Sequence, residues 1–165
     1  MASPHHRLKE LGLTLPPAPK PMASYVPVRL VPLGGGRSLL FVAGQVPVVD
    51  GELKHVGRVP EEVDLEGARE AAKICALNIL AQVDAAAGLD RVERLDKVEQ
   101  VASLTGFVRS AAGFGEQPQV INAASDLLAE VLGEAGKHSR AAVGVAELPR
   151  GVSVEITAVF VVTKD

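Results

Sequence analysis

Aromatic side chains make up only 3% of the 165 residues, with no Trp and a single Tyr, Tyr25. That leaves little to stack on bases, which is how single-stranded nucleic acids are usually gripped. Positive charge is also thin. The net charge is −3 and no dense Lys/Arg cluster occurs, so a phosphate-backbone partner is not indicated. A single cysteine, Cys75, excludes an intrachain disulfide and is compatible with the cytosol. The first ten residues lack the apolar core of a signal peptide, and no apolar run is both long and charge-free enough to span a bilayer. These absences lead us to expect a soluble, cytoplasmic protein without nucleic-acid or membrane partners. The chain is 47% hydrophobic and 22% charged, the balance of a globular protein folding around one core.

Read in order, residues 5–13 suit a short amphipathic helix with Leu8, Leu11 and Leu13 on one side. Pro16-Pro17-Ala-Pro19-Lys-Pro21 cannot continue it and should run extended. His5 and His6 are adjacent and face different ways on a helix, a poor arrangement for a metal site. Strands are expected from Ser24, first Tyr25–Val31, then a turn at Gly34-Gly35-Gly36, then Leu39–Gly44, apolar on both faces like a central strand. A phosphate cradle would need a helix after the glycines. A strand follows instead, so they read as a hairpin turn. Asp50-Gly51 marks a further turn in a polar excursion that contains His55, read as solvated.

A long helix is predicted from Asp64, its N-cap, to Ala87, with Gly88 ending it. Its apolar stripe, Ala68, Ala71, Ala72, Cys75, Ile79, Val83 and Ala86, contains the cysteine, which reads as inert packing. A strand over residues 97–109 and a second helix from Pro118 to Gly133 follow, the latter burying Val120, Ile121, Ala124, Leu127, Leu128 and Val131. The order is β-β-α-β-α-β-β, an α/β sandwich with a mixed sheet.

The last stretch, residues 139–160, reads as two strands joined by a Pro149-Arg150-Gly151 turn. Arg140 opens the first strand and Glu155 interrupts an apolar second one, and charges there call for an explanation. In a direct hairpin, Arg140 would lie on the same face as Glu155 and about 13 Å from it, too far to pair.

Two long helices can cover only one face of a sheet. The last strand carries Val152, Val154, Ile156, Ala158, Phe160 and Val162 on one side, and Ser153, Glu155, Thr157, Val159 and Val161 on the other. The uncovered side is apolar enough to mark an interface, and the N-terminal segment is too short and proline-rich to shield it. Self-association is the expectation.

Several residues together carry a family likeness. Arg140, the run Ala-Val-Gly-Val-Ala-Glu-Leu-Pro-Arg-Gly after Ala141, and Val154-Glu155-Ile156 resemble the signature of the YjgF (Rid, reactive intermediate deaminase; endoribonuclease L-PSP) family. So do Tyr25, the run Leu40-Phe41-Val-Ala-Gly44-Gln45-Val-Pro47, and Asn122. The likeness spans residues 24–162. It suggests an arm over residues 1–23 and a YjgF/Rid-like domain over 24–165. It implies a chorismate-mutase-like fold: a mixed sheet with two long helices on one face, assembled as a homotrimer with clefts between subunits.

In such clefts, members of the family hydrolyse small imine or enamine acids such as 2-aminoacrylate to a keto acid and ammonia, without metal or cofactor. The resemblance gives Arg140 the substrate carboxylate, which a guanidinium fork suits, and Glu155 the attacking water. Backbone groups at Ala141 and Ala142 would hold the substrate nitrogen or water. Tyr25, Asn122 and Phe114 would line the cleft beside Ala43 and Gly44, with a neighbouring subunit open as the source of Tyr25. Family members often have Ser where this chain has Ala43 and Cys where it has Ala142, so a hydroxyl and a thiol are missing. A non-catalytic carboxylate-binding or chaperone-like trimer is the alternative. Ribonuclease activity fits least, given the acidic charge and the lack of a His pair.

Overall fold

The computed structural model describes residues 2–86 and 94–163. The element order is α1 (Pro4–Glu10), β1 (Val28–Gly34), β2 (Arg37–Gln45), β3 (Val48–Val49), β4 (Glu52–Leu53), α2 (Leu65–Asp84), β5 (Val98–Arg109), α3 (Gln117–Leu132), β6 (Ser139–Val145) and β7 (Val154–Thr163). Five strands form one mixed sheet in the order β1-β2-β7-β5-β6, and β3 and β4 form a separate small hairpin.

Local sequence accounts for most of these elements. Asp64 caps α2, its carboxylate accepting from Gly67 N at 2.7 Å, and Pro118 sits in the first turn of α3, where its missing N–H costs nothing. The expected end of α2 at Ala87 and Gly88 lies outside the described residues. Gly35 and Gly36, with φ of 58° and 75°, form the two-residue turn between β1 and β2. That is the left-handed pair a tight hairpin demands. Asp50 and Gly51 turn β3 into β4 in the same way.

The core lies between the sheet and the two long helices. Val154, Ile156, Ala158, Phe160 and Val162 of β7, with Leu40 and Val42 of β2 and Leu104 and Val108 of β5, meet the stripes of α2 and α3. Cys75 is buried there, its Sγ 3.8 Å from the Val154 carbonyl. Burial pushes its thiol well above the ordinary range, so it stays protonated and inert. The other face alternates strictly with this one. The expected apolarity of both faces of β2 is real, but only one is covered. Leu40 is fully buried while Phe41 is 43% exposed. Phe41 and Val159 are cross-strand partners, as are Leu39 and Val161, and Val31 and Leu39. With Val143, 41% exposed on β6, they make a broad apolar surface.

The N-terminal arm stays off that surface. Leu8 is buried in the core, α1 lies on α3, and Arg7 donates to the Val131 carbonyl at the end of α3. Farther along, Gln82 of α2 donates to the Pro19 carbonyl at 2.6 Å. Leu11, expected on the packed side of α1, is exposed after the helix has ended.

The first strand and the last pair of strands depart from the sequence reading. Tyr25 does not begin a strand. It lies in a bend, and β1 starts at Val28, just after Pro27, which has no N–H for a ladder. The closing hairpin does not exist. β6 pairs in parallel with β5, and β7 pairs antiparallel with both β5 and β2. β5 therefore lies between the two strands expected to be neighbours. The physical reason is that β7, buried on one face along its whole length, takes the sheet centre and uses both its edges. The linker over residues 146–153 is long enough to step past one strand. It is fixed by Glu147, which accepts from Arg109 Nε at 2.8 Å and Arg58 Nη2 at 2.9 Å. These two guanidinium groups hold the Glu147 carboxyl below its usual range.

Candidate functional site

Arg140 sits opposite Leu104 in the parallel β5–β6 ladder, so its side chain shares the helix-covered face with that buried leucine. There it meets α3. Its Nη1 donates to Ser125 Oγ at 3.0 Å, and its Nη2 to Asn122 Oδ1 at 2.7 Å and the Pro118 carbonyl at 3.1 Å. Pro118, Asn122 and Ser125 are spaced i, i+4 and i+7, one face of one helix. Ser125 Oγ is 2.9 Å from His138 Nε2, and His138 Nδ1 is 2.6 Å from the Gly136 carbonyl. The guanidinium is thus oriented by neutral oxygens, and two of its five N–H groups remain uncommitted among the described residues.

Glu155 has different surroundings. It pairs with Phe107 in the β5–β7 ladder, on the face opposite the buried Val154 and Ile156. Its carboxylate lies directly over Gly44, where the backbone bulges between Val42 and Gln45 and where any Cβ would collide with Glu155 Oε1. Glycine at 44 is what lets the carboxylate lie there. A hollow is lined there by Tyr25, Ala43, Gly44, Val46, Arg150 and Glu155. Burial without a compensating cation raises the Glu155 carboxyl above its usual range.

No ion pair joins Arg140 or Glu155 to any described residue. Three residues along β5 separate their rows (Leu104 and Phe107), and two strand spacings separate β6 from β7. Their Cα atoms are therefore on the order of 14 Å apart, and their side chains leave the sheet on opposite faces. The same-face placement expected from a hairpin is corrected. The parallel β5–β6 register sets Arg140 on the α3 side.

The sequence-selected residues thus fall into two groups. Arg140, Asn122 and, two ladder positions on, Ala142 lie on the helix side of the sheet. Glu155, Ala43, Gly44 and Tyr25 gather at the far end of β2 and β7. Ala141 points to the open face, exposed beside Thr105. Phe114 is in the loop before α3, half-buried against the core, its carbonyl accepting from Gln117. Sequence reasoning missed Ser125 and His138. Ser125 was within reach, because it lies one turn beyond Asn122 on the same face of a predicted helix. Among the described residues no cluster of His, Cys, Asp or Glu could hold a metal ion, and no helix is long and apolar enough to cross a membrane.

This sheet, with two helices on one face and a charged pair divided between faces, defines a mixed α/β protein of chorismate-mutase-like fold. The family model described as "YjgF/chorismate_mutase-like, putative endoribonuclease" matches residues 5–160, and the chain belongs to that family. Protein TCP17 of Trypanosoma cruzi is 40% identical over 152 residues, covering 92% of this chain and 89% of that protein. The crystal structure of Atu1372 from Agrobacterium tumefaciens, a protein of unknown function, is 49% identical with a TM-score of 0.82, covering 94% of this chain and 90% of its own. E. coli TdcF with bound serine is similar at 27% identity and a TM-score of 0.57, covering 90% and 94%.

Proposed function

We propose that the chain is a hydrolytic deaminase of small reactive imine or enamine acids. It would act in the cytoplasm as a homotrimer whose clefts each join the Arg140 group of one subunit to the Glu155 group of the next. The observation that carries this reading is the division of the site. Two charged residues, neither paired with an opposite charge among the described residues, face away from each other within one chain, beside an apolar sheet face that the described residues leave largely exposed. A second copy laid on that face can bring a foreign Glu155 toward Arg140.

The chemistry needs little more. Arg140 holds the substrate carboxylate with its uncommitted N–H donors. Glu155, its pKa raised toward the working pH, takes a proton from water as the oxygen adds to the imine carbon, giving a carbinolamine. That proton passes to the nitrogen; Glu155 then takes the carbinolamine hydroxyl proton and delivers it to the nitrogen as the C–N bond breaks, so ammonia leaves and the keto acid remains. An enamine enters the same path once protonated at carbon to its imine. Serine bound to TdcF, a small amino acid with a carboxylate, is of the size and charge this cleft would take.

Ala43 and Ala142 favour a second reading, a non-catalytic carboxylate-binding trimer, because neither supplies a hydroxyl or thiol. One assay separates the two. Imines are generated in solution by an amino-acid oxidase and their disappearance is followed. The deaminase reading requires faster loss with wild type than with Arg140→Ala, and equal rates refute it.

A further inference from the structure

The proline-rich arm closes a cavity of about 530 Å³ against the domain, and the reaction proposed above does not use it. Its walls are Pro16, Pro17 and Pro19 of the arm, with Val46, Val48 and Leu53 facing them. The arm is held in place rather than merely adjacent, because Gln82 of α2 donates to the Pro19 carbonyl. One turn earlier, Asn78 lines the same cavity and is 1% exposed. Both Asn78 amide hydrogens are used, by the Val46 and Val48 carbonyls at 3.1 Å each. Its orientation is thereby fixed, and Oδ1 is left as a buried acceptor with no protein partner. Asn78 thus ties α2 to the segment carrying Val46 and Val48 and holds that wall of the cavity in place.

The cavity is continuous with the hollow around Glu155. Met22, Tyr25, Gly44, Val46 and Arg150 line both. A group held at Glu155 can therefore extend past Gly44 beneath the arm. The volume lies in the range that encloses whole drug-sized ligands, roughly 300–1,000 Å³, far beyond what a three-carbon acid fills.

We propose that this cavity receives the side chain of the substrate, and that the preferred substrates are 2-imino acids with a large, mainly apolar side chain. The inference rests on the deaminase reading for its kinetic half only, since binding beneath the arm does not require turnover.

The test has two arms. In the first, imines are formed in situ by an amino-acid oxidase from alanine, phenylalanine and tyrosine, and kcat/KM is measured for each. The tyrosine- and phenylalanine-derived imines should each exceed the alanine-derived one by at least about tenfold. Ala18→Trp on the arm and Val48→Phe on the opposite wall each fill the cavity, and each should pull the tyrosine-to-alanine ratio toward one. In the second arm, calorimetry compares 4-hydroxyphenylpyruvate with pyruvate. The larger keto acid should bind at least about tenfold more tightly, and both variants should erase the difference.

Turnover of all three imines with no preference for the larger side chains would overturn the cavity proposal and leave the deaminase reading standing. Absence of turnover, with 4-hydroxyphenylpyruvate bound selectively and lost in both variants, would overturn the deaminase reading and uphold the cavity. A preference that survives both variants would also overturn the cavity proposal.

Discussion

Glu155 carries a burial cost that its proposed role as the water-activating base would account for. A half-buried carboxylate without an ion-pair partner among the described residues is harder to ionise in the folded chain than in the unfolded one. The folded state therefore keeps its proton to higher pH. Both states are protonated below the ordinary carboxyl range, and there no penalty exists. As pH rises through about 4.3 the unfolded chain ionises first, and stability falls until the folded group has also lost its proton. Glu155→Gln should accordingly melt higher than wild type at about pH 7 and equally near pH 3–4. The same change should lower kcat/KM by about 10²–10⁴-fold. Thermal melts across pH and imine-loss kinetics on one preparation check both halves. The role proposed for Arg140 rests on geometry instead. Its guanidinium is oriented by Ser125, Asn122 and Pro118, and a lysine cannot keep three such bonds and still grip a carboxylate. Arg140→Lys should lose nearly as much activity as Arg140→Ala, with its loss appearing largely in KM.

At the scale of elements, the placement of Arg140 depends on how closely β5, β6 and α3 approach one another. Gly106 of β5 makes that approach possible, because a Cβ there would meet Ile121 Cγ1 at 2.5 Å. Gly106→Ala should cost about 1–3 kcal/mol, and Gly106→Ala combined with Ile121→Ala should cost less than the sum of the two single changes. Urea melts of the four proteins measure this. The elements themselves were legible in the sequence. Asp64, Pro118 and the stripes of α2 and α3 are local signals, and so are the glycines of the first turn. Strand neighbours were not. Nothing within residues 139–160 says that β5, some thirty residues upstream, separates β6 from β7, because pairing is decided by which strand can be buried on both edges. For the same reason Arg140 and Glu155 could be picked out as special, while their placement on opposite faces could not. Tyr25 shows the smaller version of this limit, because a proline two residues later delays the ladder.

For the molecule as a whole, the exposed Phe41 and Val143 mark a sheet face that the N-terminal arm leaves bare. Light scattering should report a mass that is a multiple of one chain. Phe41→Glu should reduce it to a single chain that keeps its secondary structure by circular dichroism and loses turnover, since an unpaired charge in an apolar interface is costly.

The claim that organises all of this is that one site is built from two chains, and mixing two inactive variants tests it most directly. Arg140→Ala and Glu155→Gln are each assayed alone, then unfolded together in equal amounts, refolded and assayed again. If Arg140 of one subunit works with Glu155 of its neighbour, a random mixture leaves about one interface in four with both residues intact, and about a quarter of wild-type activity should return. If the two residues serve one site within a single chain, every site in the mixture lacks one of them. The mixture would then stay as inactive as its parents, and the account would be wrong.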